Sequence, residues 1–259
     1  MPQQRESLYP LPVDRDAGMM TLPLSPASTT LPGGMRRTFY YGCKRAMDVI
    51  VALTLLVLLS PLLLLIALLI KLDSPGPVLF VQYRVGSRRR RRGRETNWEV
   101  CLFPFYKFRT MFTNTDDSLH REYIREFCQE RAATDRAPET RFKLKDDPRV
   151  TRLGRVLRKT SLDELPQLFN ILKGNMSIVG NSPLPLYEAE LLTRDVWAKR
   201  FLAPAGLTGL WQVTKRGKNS MSTEERIHLD VTYADNHSFW YDMKIIAKTP
   251  FALIQEENV

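Results

Sequence analysis

The chain has 259 residues, 44% hydrophobic and 25% charged. Such proportions suit a globular protein with a sizeable core and exclude collagen-like, wholly disordered and polytopic membrane classes. The formal net charge is +10, and six of the positive charges lie in one run, Arg88, Arg89, Arg90, Arg91, Arg92 and Arg94; without those six the balance is +4. Basicity of this kind points to acidic partners: phosphates, nucleic acid or an anionic membrane surface. Cys43, Cys101 and Cys128 are odd in number and widely spaced, with no CxxC, which indicates a reduced, cytoplasmic setting. His120, His228 and His237 are scattered, without the spacing of a zinc site.

Residues 1–38 read as a disordered tail, rich in Pro, Ser, Thr and Gly and without a lasting apolar period. They lack the apolar core of a secretory signal. Residues 39–72 carry the membrane element. Val49 to Ile70 is apolar except for Thr54, Ser60 and Pro61. At about 1.5 Å per residue, such a helix is long enough for a hydrocarbon core of about 30 Å. A single span is the simplest reading. Two features favour a kinked, re-entrant hairpin instead. Pro61 cannot donate to the carbonyl of Val57, and Ser60 can satisfy the freed group. Both flanks are also basic: Arg36, Arg37, Lys44 and Arg45 before, Lys71, Arg84 and the arginine run after. The positive-inside rule keeps both on one side only if the chain returns.

Residues 73–259 read as one α+β domain, rich in helices. Val78 to Val85 and Glu99 to Phe108 have the composition of strands, with Pro104 marking an edge or a bulge. The arginine run between them is expected to be the hairpin loop. Helical patterns cover Thr115 to Ala133, Leu153 to Lys159, Leu162 to Lys173, Leu186 to Phe201, Thr223 to Asn236 and Trp240 to Ile254. Asp146-Asp147-Pro148 marks a turn. Ser161 and Glu164 have capping-box spacing, which predicts a helix start at Leu162 with Asp163 and Glu164 in its first turn and one apolar face of Leu165, Leu168, Phe169 and Leu172. The positive end of such a helix would favour an ionised Asp163 and would attract anions. A cap of this kind can also serve stability alone.

The string Thr160-Ser161-Leu162-Asp163-Glu164-Leu165-Pro166-Gln167, running on to Val179-Gly180, closely resembles the bacterial sugar transferases, the monotopic phosphoglycosyl transferases. The resemblance extends from about Tyr41 to Ile254. It includes Lys44-Arg45 with Asp48, Ser60-Pro61, Asp73-Ser74-Pro75-Gly76-Pro77 and Gln82-x-Arg84-Val85-Gly86. It continues through Lys107-Phe108-Arg109-Thr110-Met111, Asp147-Pro148-Arg149-Val150-Thr151 and Gly206-Leu207-Thr208-Gly209-Leu210-Trp211-Gln212. The resemblance implies a helix-rich catalytic domain on the cytoplasmic face of the bacterial inner membrane. It implies transfer of a sugar-1-phosphate from a UDP-sugar to undecaprenyl phosphate, the first membrane step of exopolysaccharide or surface glycan synthesis. Asp163 would be the nucleophile, UMP the leaving group, and Glu164 the ligand of Mg²⁺. Arg158, Arg149, Arg109 and Lys107 are candidate substrate-phosphate contacts.

Implied partners are the nucleotide sugar, undecaprenyl phosphate, anionic lipid near the arginine run, and downstream glycosyltransferases. Nucleic acid is not expected, because no recognition fold accompanies the basic run. Three departures from the family pattern stand out: Asn175 where an acidic residue is common, Asn181-Ser182 where Pro-Arg is usual, and the longer basic hairpin. They keep open an alternative reading, a weak or inactive relative acting as a membrane-bound scaffold.

Overall fold

The computed structural model describes residues 35–92, 95–113, 147–186, 188, 189, 195–215 and 223–252. The helix expected at Thr115 to Ala133 lies outside the described residues, as does the 1–34 part of the tail.

Helix α1 (Met35–Leu58) and helix α2 (Ser60–Asp73) meet at Leu59. Proline is the second residue of α2, where its missing N–H breaks the ladder. The Ser60 hydroxyl donates to the Val57 carbonyl at 2.8 Å, as its position predicts. The two helices are bent by 62°; among the described residues no single helix is long and apolar enough to cross a membrane, but this bent pair has the length and composition. Each limb lays one face on the rest of the protein. Ala52 enters the main core with Phe103, Phe105, Leu168 and Ile171. Ile66 and Ile70 form a second cluster with Phe108 and Leu157. The other faces leave Ile50, Leu53, Val57, Leu64, Leu65, Leu68 and Leu72 exposed.

The motif Lys44-Arg45 with Asp48 is the clamp between α1 and the domain. Lys44 Nζ, buried, donates to Val179 O at 2.8 Å and to Asp242 at 2.7 Å. Asp48 accepts from Ser177 Oγ and from the Ile178 N–H, at 3.0 and 2.8 Å. Arg45 donates to the carbonyls of Ile171 and Leu172. A buried charge is tolerable only when paired in this way.

Strands β1 (Leu79–Arg92) and β2 (Glu95–Phe108) form a long antiparallel hairpin. Arg88 to Arg92 are therefore not the loop: they are the last third of β1, a correction with a visible cause, and Arg94 lies outside the described residues. Arg88 and Arg89 pair across the ladder with Glu99 and Trp98. Arg90 reaches Glu99 at 3.3 Å, and the Arg89 guanidinium lies 4.3 Å from the Tyr41 ring centre. Opposite charges and aromatic faces across a two-stranded ribbon offset the repulsion along it. The sheet order is β2-β1-β4, with β4 at Leu184–Pro185, so Pro104 sits on an edge strand, where it costs no ladder bond.

After the hairpin come helix α3 (Arg152–Thr160), a 3₁₀ turn (Leu162–Glu164) and helix α4 (Gln167–Leu172). Strands β3 (Ser177–Val179) and β5 (Gly206–Thr208) pair in parallel. Between them runs a 3₁₀ helix, Asp195–Leu202, where an α-helix from Leu186 to Phe201 was expected; residues 187 and 190–194 lie outside the described residues. Helices α5 (Leu210–Lys215), α6 (Thr223–Asn236) and α7 (Phe239–Ala252) close the chain. The range of α6 agrees with the sequence pattern, and α7 begins one residue earlier than expected.

Candidate active site

The predicted capping box is not formed. Ser161 is the C-cap of α3 in the left-handed region, φ 59°, and its side chain makes no cap bond to the following turn. Pro166 explains why Leu162 to Lys173 is not one helix. It has no N–H to offer Leu162 O, so the segment closes as a 3₁₀ turn with Leu165 N–H on that carbonyl, and α4 starts only afterwards. The buried face of α4 is Gln167, Leu168, Asn170 and Ile171, whereas Phe169 is exposed. The expected help from a helix dipole is thus replaced by a tight turn. A non-glycine residue in the left-handed region costs about 1–2 kcal/mol. Ser161 is the one such residue among those described, and it aims the turn that carries both carboxylates.

That turn brings Asp163, buried, and Glu164, half-buried, against the end of β2. Lys107 Nζ lies 3.0 Å from Glu164 Oε1 and 3.5 Å from Asp163 Oδ2, bridging the pair. Arg158, on the last turn of α3, donates Nε–H to Thr110 Oγ1 at 2.9 Å. Its guanidinium is half-buried: desolvation lowers its pKa, and the nearby charges of Asp163 and Asp147 oppose that. Arg149 grips Asp147 through two nitrogens, at 2.8 to 3.1 Å. Those hydrogen bonds hold the Asp147 carboxyl below the usual carboxylate range. Arg149 also adds its charge to the surroundings of Arg158. Lys107, Arg158, Asp163 and Glu164 are therefore one cluster, with the Asp147–Arg149 pair beside it. The strings Lys107 to Met111 and Asp147 to Thr151 are laid edge to edge, with Met111 bridged to Val150 and Thr151 N–H on Thr110 O.

Arg109 is not part of this cluster. Its guanidinium is buried and donates to the carbonyls of Ile70, Ser74 and Pro75. These groups close the C-terminal end of α2, where orphan carbonyls need donors. The expectation that Arg109 touches substrate phosphate gives way to a bracing role. Arg109 lies just past the last residue of β2, Phe108, so it leaves the pleat that carries Lys107 and turns to the end of α2.

Sequence patterns missed Asn170. It is fully buried, accepts from the Tyr106 N–H at 3.1 Å and donates to Pro104 O at 2.6 Å. One amide side chain thus completes the open edge of β2 and ties α4 to the strand bearing Lys107. A polar residue amid the apolar residues of α4 was the available signal.

The departure at Asn181-Ser182 is tightly bonded in place. Asn181, buried, donates to the carbonyls of Arg200 and Asp230. Arg200, also buried, pairs with Asp230 and donates to Ser182 O. Ser182 Oγ accepts from Trp211 Nε1 at 2.6 Å and from Gln212 Nε2 at 3.3 Å. The loop is well held, and no arginine side chain issues from position 182. Asn175, another departure, gives its backbone N–H to Asn170 O.

A carboxylate pair bridged by lysine, with an arginine beside it, suits work on phosphates. The comparisons agree: residues 39–256 match the family model described as bacterial sugar transferase. The chain belongs to this family. An undecaprenyl-phosphate galactose phosphotransferase of Salmonella typhimurium is 38% identical over 215 residues, 83% of this chain and 41% of that protein. The exopolysaccharide production protein ExoY of Sinorhizobium fredii is 41% identical over 207 residues, 80% of this chain and 83% of the relative. A UDP-glucose:undecaprenyl-phosphate glucose-1-phosphate transferase of Caulobacter vibrioides is 36% identical over 236 residues, 89% and 77% of the two chains. This sugar transferase spans about two fifths of the Salmonella protein's length but most of the ExoY length.

Proposed function

We propose that this sugar transferase is an enzyme that moves a sugar-1-phosphate from a UDP-sugar to undecaprenyl phosphate. The observation that carries the reading is the bridged pair Asp163–Lys107–Glu164, with Arg158 beside it, in a chain of this family. A carboxylate oxygen of Asp163 attacks the phosphorus of the donor's β-phosphate, the bond to the bridging oxygen breaks, and UMP leaves with that electron pair. An oxygen of undecaprenyl phosphate then attacks the same phosphorus. The bond to Asp163 breaks, undecaprenyl diphosphate sugar departs and the carboxylate is restored. Lys107 orients both carboxylates, and Arg158 and Arg149 neutralise phosphate oxygens as charge builds. The product would open exopolysaccharide or surface glycan synthesis, with downstream glycosyltransferases extending it.

Glu164 and incoming phosphate oxygens suit Mg²⁺, which takes few protein carboxylates and keeps waters or phosphates on its other positions. Among the described residues no group of three or more His, Cys, Asp or Glu gathers for a metal. When bound, the ion would neutralise charge on the leaving phosphate.

The bent helix pair would enter and leave the cytoplasmic leaflet of the bacterial inner membrane as a re-entrant hairpin. Both limbs pack on the same domain, through Lys44, Asp48 and Ala52 on α1 and through Ile66 and Ile70 on α2. A continuous span would separate those anchors by about 20–40 Å along the membrane normal. The arginine ribbon would face anionic headgroups, where each basic residue gains about 1 kcal/mol.

The test is to incubate the purified full-length protein with UDP-sugars and Mg²⁺ but no lipid acceptor, and to weigh it. A sugar-phosphate adduct on wild type and none on Asp163→Asn is expected. UMP release by Asp163→Asn at the wild-type rate would refute the nucleophile. A folded wild type that neither forms the adduct nor turns over any donor would favour the scaffold reading.

A further inference from the structure

We infer that Arg84 is a second donor-binding residue, taking the nucleotide's diphosphate on the side away from Asp163. This rests on the proposed use of a nucleotide sugar.

Arg84 and Lys107 stand on the same face of the hairpin, because Arg84 pairs with Phe103, and Gln82 pairs with Phe105 two residues from Lys107. Both cations lie against one aromatic ring. The Arg84 guanidinium is 4.3 Å from the Phe105 centroid, and Lys107 Nζ is 5.7 Å from the same point. Phe105 itself is buried, so the ring is a fixed floor beneath the two charges. Arg84 is half-buried and held at two points: Nε–H on Gln82 Oε1 and an Nη–H on Pro183 O, each at 3.2 Å. Two hydrogen bonds and a stacked ring fix a guanidinium's plane, and a fixed plane is what bidentate phosphate binding needs.

The position gives the role. Pro183 belongs to the loop of Asn181 and Ser182, so Arg84 holds its charge where that loop meets the hairpin. At the other end of the ring, Lys107 holds the carboxylate that would attack. A diphosphate lying across Phe105 would present its attacked phosphorus to Asp163 and its other phosphate to Arg84. Arg200, the other guanidinium at this loop, is fully buried and paired with Asp230, so it cannot turn to a ligand without breaking that pair.

The test uses Arg84→Gln and Arg84→Lys in the full-length protein, with Lys244→Gln, an exposed residue of α7, as a control. Calorimetry with UDP and Mg²⁺ reads binding without turnover, and steady-state kinetics read KM for donor and for acceptor separately. For Arg84→Gln, UDP binding and donor KM are expected to worsen about tenfold to a hundredfold, the span of one charged hydrogen-bonded contact. Arg84→Lys should recover part of the loss, the acceptor KM should hold, and Lys244→Gln should match wild type. UDP binding by folded Arg84→Gln equal to wild type would overturn the assignment. So would a fall in melting temperature and kcat with donor KM unchanged, since that marks a purely structural arginine. Failure of wild type to bind UDP while still acting on another nucleotide sugar would move the same measurements to that nucleoside diphosphate. Failure to bind any nucleoside diphosphate would sink the donor reading, and the role of Arg84 with it.

Discussion

Asn170 carries the sharpest structural prediction. Replacing it with alanine removes the acceptor for the Tyr106 N–H and the donor to Pro104 O at once. Asn170 is fully buried, and the two backbone groups face it on the closed side of the β2 edge. A buried polar group left without a partner costs about 1–3 kcal/mol, so two of them cost about 2–6 kcal/mol, less whatever a water can restore. At about 2–4 °C per kcal/mol for a domain of this size, the melting temperature should fall by about 5–15 °C. Asn170→Asp is the companion. It keeps an acceptor for Tyr106 but turns a second oxygen toward the Pro104 carbonyl, so it should also be destabilised, and more at neutral pH than in acid. Scanning fluorimetry of the full-length protein in detergent reads both. Transferase activity should fall at temperatures where wild type is folded, because Asn170 fixes the distance between the Lys107 strand and the turn of Asp163. An alanine variant melting within 2 °C of wild type would refute the account of the edge.

Three other outcomes follow from single features. Gly154→Ala would set a Cβ onto the Thr110 carbonyl, a backbone atom, so α3 must move away from Thr110; loss of the Arg158–Thr110 hydrogen bond should cost at least tenfold in kcat, and an unchanged kcat would contradict it. The Asp147 carboxyl is held below its ordinary value chiefly by Arg149, so its stabilising effect is full above about pH 4, the ordinary carboxylate value, and fades as pH falls through the lower folded value. The melting-temperature gap between wild type and Asp147→Asn should therefore be constant above about pH 5 and shrink in stronger acid; a gap that widens in acid would be wrong for this sign. A cysteine at position 10 should be shielded from an impermeant reagent outside the cell if the helix pair is re-entrant, and the Ser60→Leu, Pro61→Leu double variant, which restores an N–H for Val57 O, should expose it; labelling of the unsubstituted hairpin from outside would overturn that topology.

What could be read from the chain, and what could not, divides along physical lines. The break at Ser60-Pro61 was legible because it depends on one missing N–H and one nearby hydroxyl. The edge position of Pro104 was legible for the same kind of reason. The grouping of Lys107, Arg158 and the Asp163-Glu164 pair came from the family pattern, since nothing in their spacing says that β2 and the 3₁₀ turn touch. Local pattern failed where tertiary contacts decide. The arginine run looked like a loop because its repulsion is local, whereas Glu99, Trp98 and Tyr41 offset it from elsewhere. The capping box at Ser161 failed because Pro166, five residues on, ends the α-helical option for the turn. Strands β3 and β5 are three residues each, too short to show alternation.

The bent helix pair is as much part of the candidate site as the carboxylates. Arg45 of α1 caps the last carbonyls of α4, which follows directly on the turn of Asp163 and Glu164. Arg109, two residues after Lys107, is pinned to the end of α2. Leu157 of α3, one residue before Arg158, packs on Ile66 and Ile70. The Asp163–Glu164 turn thus hangs from one limb and the cations beside it from the other. Their separation depends on the angle between the limbs, fixed at 62° by a proline and a serine. A rigid angle is what an enzyme needs if its acceptor phosphate arrives at the depth of lipid headgroups rather than from solution. Straightening the pair would then pull Lys107 from the carboxylates as it changed the depth of the domain, so substitutions at Ser60 and Pro61 should alter kcat and membrane topology together.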